Sequence, residues 1–442
     1  MSQELLNKAH EIIRIARRAG AQDARASVYR NQDSSVEWRD GKLDRLTQST
    51  SMGASLNLFV DERYSGHSTS DLRPEALEAF ITEAVAMTRP LAEDPHRRLP
   101  DPARYADRFQ GDLQLYDARG AAEMTAADRR HAARALEEAA RANPQASKII
   151  SVSTSCSDSI GESAMVNSNG MEGTAQGTVF AYFAEVVVRD EGDRKPTGDW
   201  YSVALYRNKL ESAERVANMA LQRALDGIGE KPIESGLYPC IVENRQVGRA
   251  MGGLLDAFNG GNIQQQQSFL ADKVGQQITS PLLTLIDDPH VPGGFGSQIY
   301  DNEGMSTRRM PLIEKGVLRN FFLDTYYAGK LGMKPTTAYQ NNLVFEPGER
   351  DLEGLLRAMG KGILITGFMG GNSNSTTGDF SIGIRGHWIE NGRRVRPISE
   401  MNLSGNHLEA WKHLVEVGND PWPYSTNRGP SLRFDGLQFS GV

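Results

Sequence analysis

Cysteine is nearly missing from this 442-residue chain, which has only Cys156 and Cys240, far apart in sequence. That scarcity excludes a disulfide scaffold at this size and fits a reducing compartment. Positive charge is not in excess either. The formal net charge is −7 and the lysines and arginines are dispersed rather than striped. No global field attracts nucleic acid, so direct nucleic-acid contact is not expected. Long apolar runs are also lacking, and no window approaches the ~18 uninterrupted apolar residues of a membrane helix. At the start of the chain Leu5, Leu6, Ala9, Ile12, Ile13 and Ala16 trace one helical face, and Glu4, Lys8, Glu11 and Arg14 interrupt it. That is not the pattern of a signal peptide. These absences predict a cytoplasmic protein with no membrane segment.

What remains is ordinary globular material, 39% hydrophobic and 24% charged, long enough to bury a sizeable core. The periodicities predict an α+β fold in two domains. In the N-terminal domain, residues 1–230, a helix near 3–19 leads to strands near 24–30, 34–39, 42–49 and 53–60, with Asp40-Gly41 as a two-residue hairpin turn. A helix with Pro74 in its first turn follows. The same order then recurs. Thr125 to Asp128 caps a helix, strands follow near 147–155, 162–167, 173–190 and 199–206, and a helix covers 210–226. Residues 1–90 and 120–230 thus read as a duplication of antiparallel sheet and helix layers, with the polar stretch 90–120 as a connection.

Gly227 to Pro232 marks the boundary with a C-terminal β-rich domain over 231–442. Glu314-Lys-Gly316 and Asn391-Gly392 are its hairpin turns. Helices are expected near 244–258, 351–359 and 407–417, packed on an antiparallel or barrel-like sheet. The first of these places Asn244 at its N-cap and Gly248, Gly252 and Gly253 inside an otherwise apolar stripe. Each such glycine costs about 1 kcal/mol relative to alanine. A helix of this kind marks either a tight contact with another backbone or a groove that admits a partner or peptide.

The run Gly367 to Asp379 has thirteen residues, four of them glycine, and no aliphatic β-branched side chain. It is expected outside the core, where backbone is exposed or closely approached. Small hydroxyls and amides beside bare backbone suit a phosphate, a peptide backbone or nothing at all. A P-loop needs a lysine after its glycines, and this run has neither lysine nor arginine. Gly294-Phe-Gly296 lacks the third glycine of a dinucleotide fingerprint. Gly371-Asn-Ser-Asn-Ser375 lacks the closing glycine of a nucleophile elbow. Neither cysteine has a histidine nearby, and Cys240 sits in an apolar strand, so both read as inert buried thiols. None of the eight histidines forms His-Glu-x-x-His, and His407 and His413 do not share a helical face. Asp301 and Glu303 could pair as acid and base, but their turn reads as solvated.

Several short segments in fixed order resemble the TldD/PmbA family, historically called modulators of DNA gyrase, in its PmbA (TldE) branch. They are Asp301-Asn-Glu-Gly304, Glu314-Lys-Gly-Val-Leu318, Thr377-Gly-Asp-Phe-Ser381, Trp388-Ile-Glu-Asn-Gly392, Pro397, Gly405-Asn406 and Val417-Gly-Asn-Asp420. The resemblance covers nearly the whole chain and implies a cytoplasmic zinc metallopeptidase system. In it a TldD and a TldE subunit pair to remove leaders from small peptide precursors and to degrade short unfolded polypeptides. In the catalytic branch a helix early in the C-terminal domain carries His-Glu-x-x-x-His, and a cysteine near the C-terminus completes the zinc site. The matching helix here reads Gly248-Arg-Ala-Met-Gly-Gly253. Glycine replaces both histidines, Arg249 takes the place of the general base, and no cysteine follows Cys240.

Glycine offers no ligand, and a guanidinium neither acts as a base nor favours a cation beside it. The expectation is therefore a chain with no catalytic or metal residues of its own, with zinc in a TldD-like catalytic subunit as partner. Gly370, Gly371, Asn372, Ser373 and Asn374 are expected to hold an extended peptide through backbone hydrogen bonds. A homodimer could form when the partner is missing. Two alternatives stand beside this reading. One is a self-sufficient hydrolase with metal ligands such as His387 and His407. The other is a non-enzymatic interaction protein acting on gyrase or an antitoxin.

Overall fold

The computed structural model describes residues 2–442. Helix α1 (Ser2–Ala19) leads to β1 (Asp23–Arg39), β2 (Lys42–Val60), β3 (Arg63–Thr69) and α2 (Pro74–Thr88). A long connection carries α3 (Ala118–Glu123). The same order then returns as α4 (Ala126–Ala142), β4 (Ile149–Asn167), β5 (Glu172–Val188), β6 (Thr197–Ala204) and α5 (Ala213–Leu225). All six strands form one sheet in the order β3-β2-β1-β4-β5-β6, symmetric about the antiparallel β1–β4 pair.

Sequence patterning explains both the helices and the face they cover. On α1, Leu5, Ala9, Ile12 and Ala16 are buried against Ala24, Ala26 and Val28 of β1, which alternate along one face of the strand. On α5, Val216, Ala220, Leu221 and Ala224 pack on Val186, Val188 and Trp200. The capping box expected at Thr125 is present, with Asp128 N donating to Thr125 Oγ1 at 3.1 Å and Thr125 N to Asp128 Oδ2 at 3.0 Å. The three expected hairpin turns also form, and both residues in each have positive φ: Asp40 and Gly41, Lys315 and Gly316, Asn391 and Gly392.

The strand count is corrected. The four strands expected between 24 and 60 are two continuous ones, and 147–155 and 162–167 belong to a single β4. The polar stretch from Asn31 to Asp33 is the expected break, but it stays in the ladder, with Asn31 opposite Ser51 on β2 and Gly161 on β4. A central strand keeps its backbone pairing regardless of side-chain polarity.

The rest of the chain contributes β7 (Gly236–Val242), α6 (Asn244–Ala250), α7 (Gly252–Asp256), α8 (Gly260–Gln264), β8 (Leu285–Asp288), β9 (Met310–Glu314) and β10 (Val317–Leu318). Next come α9 (Thr325–Leu331), β11 (Asn342–Phe345), α10 (Leu352–Met359), β12 (Gly362–Ser373), β13 (Asp379–Glu390) and β14 (Arg393–Asn406). The last elements are α11 (His407–Ala410), β15 (Leu414–Val417), β16 (Asn427–Arg428) and β17 (Leu432–Ser440). Strands β7, β12, β13, β14 and β17 pair around a closed ring, with β7–β12 parallel and the other pairs antiparallel. A second sheet runs β10-β9-β8-β11-β16. Alternation decides which core each barrel residue joins. Cys240, Val242, Ile363 and Ile365 face the main core with Val247, Met251, Leu254 and Phe258 of the glycine-bearing helices. Ile241 and Leu364 face outward under Leu355 and Leu356 of α10.

Three expectations for this half are revised. The helix over 244–258 is broken at Met251 (φ −83°, ψ −10°) into α6 and α7, and Glu243 rather than Asn244 stands at the cap. Asn244 instead donates from Nδ2 to the Asp420 carbonyl at 2.7 Å. The helix over 407–417 is a single α-turn extended by a 3₁₀ turn at Trp411–His413, followed by a strand. There Leu414 and Val417 are buried on β17 and Val415 is exposed. The glycine-rich run is half strand, because β12 continues to Ser373 before the chain turns. Among the described residues no helix is long and apolar enough to cross a membrane.

The stretch from 90 to 120 ties the first sheet to the rest of the molecule. Tyr326 Oη donates to Asp94 Oδ2 at 2.9 Å, Ser306 N to the Arg104 carbonyl at 2.9 Å, and Gly293 N to the Leu113 carbonyl at 2.8 Å. The first sheet is itself sealed by close contact at Gly198, where a Cβ would fall on the backbone of Ala220 and Ala224 in α5. Gly198→Ala is therefore expected to destabilise the protein by about 1–3 kcal/mol, read as a lower urea midpoint at unchanged m-value.

Candidate functional site

Strand β12 lies beside β7 only through Ile363, Leu364 and Ile365. Beyond that point its ladder partner is β13 alone, and α6 and α7 run where β7 would have continued. Burial changes accordingly: Thr366 to Phe368 are half-buried and Met369 to Asn374 are exposed. The register with β13 shifts between Met369 and Asn372, so Gly370 (φ +59°) and Gly371 (φ +96°) form a bulge. At Gly371 a Cβ would sit 2.5 Å from both Ile382 Cα and Ser381 O, so both the left-handed backbone and the close strand contact require glycine there.

The turn that follows is held from several sides. Asn374 N donates to the Asp379 carbonyl at 2.8 Å, and Asn374 Oδ1 accepts from Thr376 N at 2.9 Å. Asn406 Nδ2 donates to the Thr377 carbonyl at 2.8 Å and to Asp379 Oδ1 at 2.9 Å. The five residues singled out from sequence, Gly370 to Asn374, thus form an exposed, braced end of a strand that lacks a ladder partner on one side.

The glycine-substituted helix meets this strand end at one point. A Cβ on Gly253 would fall on Ser373 Oγ and lie 2.6 Å from His407 Nε2. Gly248 packs elsewhere, with Asn427 Nδ2 of β16 3.0 Å from where its Cβ would be, and Gly252 faces open space. Arg249 is exposed. The structure therefore joins Gly253 to Ser373, while Gly248 packs against Asn427. Of the two readings open for this helix, Gly253 makes the tight helix–sheet contact.

His407 is the side chain at the centre of this junction. It is 2% exposed and lies between Phe269 (6.0 Å, nearly parallel) and Phe380 (4.7 Å). Its Nε2 is 3.0 Å from Ser373 Oγ. A serine hydroxyl beside an imidazole has the outline of a nucleophile and base, but the third partner decides its chemistry. That partner is Trp411, whose Nε1–H donates to His407 Nδ1 at 3.2 Å. Indole nitrogen only donates, so Nδ1 is the acceptor and the ring proton sits on Nε2, where it is donated to Ser373. An imidazole in this tautomer has no free nitrogen to take the serine proton. Burial also pushes the His407 pKa down to about 4, which keeps the ring neutral. The pair positions Ser373 and does not activate it. Sequence reading placed His407 on a longer helix, which hid its contacts with Ser373, Phe269 and Trp411. The Gly405-Asn406 dipeptide before it is the one local sign of a turn there.

A divalent cation does not fit the donors present on this helix. Gly248 and Gly253 carry none, and the space beside Gly253 is filled by Ser373 and by an Nε2–H that donates rather than ligates. Among the described residues no group of three or more histidine, cysteine or acidic side chains clusters as a metal site. His387 and His407 are not brought together, since His387 pairs with Pro397 partway along β13 and His407 follows the far end of β14. Both cysteines are buried, and burial raises their pKa values, to about 12 for Cys156 and beyond that for Cys240.

The turn at Asp301 to Gly304 is not solvated. Asp301 is 3% exposed and its Oδ1 accepts from Glu303 N at 2.9 Å and Met305 N at 3.0 Å. Glu303 accepts at Oε2 from Thr325 N (2.7 Å) and Thr325 Oγ1 (2.9 Å), with Arg25 of β1 3.8 Å from Oε1. Asn167 Nδ2 donates to the Glu303 carbonyl at 3.0 Å. These groups clamp the first sheet to the second half of the molecule, and their hydrogen bonds to one another make their role structural. The polar composition concealed this, because burial depends on the partner that arrives from β1 and β4.

Burial outweighs Arg25 and raises the Glu303 pKa from 4.5 to about 7. A raised folded-state value means the folded protein holds a proton that the unfolded chain gives up. Stability from this group is full below the unfolded value near 4.5 and declines as pH rises through about 7, by on the order of 3 kcal/mol. Urea unfolding at pH 5 and pH 8 is expected to show a smaller loss across that range in Glu303→Gln than in the wild type.

Three family models match the chain. The PmbA/TldA metallopeptidase C-terminal domain matches residues 235–441, the central domain residues 120–228, and domain 1 residues 24–88. The metalloprotease PmbA of Escherichia coli O157:H7 is 29% identical over 406 residues, covering 90% of this chain and 87% of that protein. A solved Bacteroides thetaiotaomicron protein, described as a modulator of DNA gyrase, superposes with a TM-score of 0.95 at 40% identity, covering 99% of this chain and 98% of that one. TldE from Thermococcus kodakarensis shares the fold, with a TM-score of 0.86 at 21% identity over 98% of this chain and 100% of that one.

Proposed function

The chain belongs to the PmbA/TldD metallopeptidase family, and we propose that within it this chain is a non-catalytic subunit. Its partner is a TldD-like subunit that carries the zinc, and the two act on small unfolded peptides. The observation that carries this reading is the packing at Gly253. A side chain at Gly253, the place the family resemblance implies for a second histidine ligand, would fall on Ser373 and His407. The hydroxyl and imidazole close the space from the strand side, so the substitution is integrated into the fold.

The strand end supplies the second part of the proposal. Main-chain groups of Gly370 to Ser373 are exposed at the end of β12, which has no strand partner there besides β13, beside side chains too small to obstruct an extended chain. A peptide added there is held by groups that every peptide matches, which suits substrates without a fixed sequence. The bulge at Gly370 and Gly371 and the braced turn at Asn374 fix that edge before a peptide arrives, so little ordering entropy is lost on binding.

Asn372 is exposed and pairs with β13 through its backbone, so its side chain can be changed with little effect on the fold. In a complex reconstituted with a TldD-like subunit, Asn372→Trp should raise KM for an unfolded peptide by about tenfold, while Asn372→Ala leaves it nearly unchanged. The chain by itself should cleave nothing. Chelator-sensitive cleavage by the isolated chain would contradict the non-catalytic assignment. Equal KM values for the two variants would contradict the strand-edge assignment.

A further inference from the structure

A cavity of about 500 Å³ lies between the first sheet and the barrel, bounded by β6, the end of α5, the first turn of α6, and β12 with β13. Its size is that of small-ligand sites, and domain junctions are a common place for them. Most of the charges around it are matched. Arg245 pairs with Asp199 and stacks near Trp200, Arg223 Nη2 meets Glu243 Oε1 at 2.6 Å, Arg394 meets Glu353 at 2.8 Å, and Glu230 meets Arg194 at 3.2 Å.

Two opposite charges are left over. Arg385 reaches only the Thr197 carbonyl, at 3.3 Å, and Asp226 accepts only from Gln222 Nε2, at 2.6 Å; among the described residues neither is in an ion pair. The Arg223–Glu243 pair is also incomplete. It uses one atom of each partner and leaves Arg223 Nε and Glu243 Oε2 buried with no hydrogen-bond partner, as is His387 Nδ1 in the same wall. Buried polar atoms of this kind are rare because each forfeits its solvation, and three in one cavity mark a place where a polar guest completes the structure.

The guest's chemistry follows from the signs. A phosphate ester would set an anion against Asp226 and Glu243, and a bare cation would meet Arg385 and Arg223. A molecule with a carboxylate at one end and an ammonium at the other satisfies both. We propose that this cavity binds a free short peptide by its two ends. The α-carboxylate lies on the Arg385 guanidinium and the α-ammonium lies at Asp226 and Glu243 Oε2, while Arg223 Nε and His387 Nδ1 serve the internal amides. Such a peptide is the class of molecule that peptide cleavage releases. The site rests on the cavity alone; it shares Thr366, Gly367 and Phe368 of β12 with the foot of the strand end described above and includes none of Gly370 to Asn374.

Trialanine, N-acetyl-trialanine and trialanine amide are the probes, titrated calorimetrically into the full-length chain. Trialanine should bind, and each blocked form should bind at least about tenfold more weakly. Arg385→Gln should abolish the preference for trialanine over its amide, and Asp226→Asn the preference over the N-acetyl form. Asn372→Trp, which tests the strand edge, should leave trialanine affinity unchanged. No binding of trialanine to the wild-type chain, or equal binding of all three peptides, would overturn the proposal and leave the cavity to water. Should a variant fail to fold, the comparison of the three peptides on the wild type decides alone.

Discussion

The contact between Gly253 and the end of β12 constrains everything around it. A helix can approach a strand this closely only where a side chain is missing, and here the missing atom's place is taken by Ser373 Oγ. His407 then completes the packing, fixed in one tautomer by Trp411 and held between Phe269 and Phe380. Each element of the junction depends on the others. The kink at Met251 lets α7 lean onto the strand, the bulge at Gly370 and Gly371 turns the strand end, and the braced turn after Asn374 holds it. In this architecture, a glycine at 253 leaves room that Ser373 and His407 fill.

A six-stranded sheet, symmetric about β1 and β4, is bound to a barrel and a smaller sheet by the 90–120 segment and by the buried clamp of Glu303, Arg25, Thr325 and Asn167. The clamp is polar yet largely dry, which makes the union of the halves sensitive to the charge on one carboxylate. Between the same halves lies the charged cavity with Arg385 and Asp226. The strand edge and the cavity thus both carry hydrogen-bonding groups without partners in the described residues.

Much of this was legible in the sequence where local chemistry decides structure. The capping box at Thr125 and the hairpin turns at Asp40-Gly41 and Asn391-Gly392 are short-range signals with one mechanical solution each. The α+β class followed from period. What escaped was set by contacts distant in sequence. Asn31 to Asp33 stays in a strand because β2 and β4 flank it, and Val415 belongs to a strand because β17 runs alongside. The turn at Asp301 is buried because Arg25 and Asn167 arrive from another sheet. The glycines of the 248–253 helix were visible as an anomaly, but only the fold shows that Gly253 alone, of the three in that helix, packs against Ser373.

The proposal that this chain holds no zinc because Ser373 and His407 fill the space at Gly253 is tested most directly by zinc stoichiometry. The isolated full-length chain is dialysed against zinc at neutral pH, passed over a desalting column and analysed for metal by mass spectrometry. Packing of Ser373 and His407 against Gly253 predicts no retained zinc beyond a few hundredths per chain, within roughly the trace level of non-specific binding. Retention of about one zinc per chain, released by a chelator together with a change in unfolding midpoint, would contradict the account.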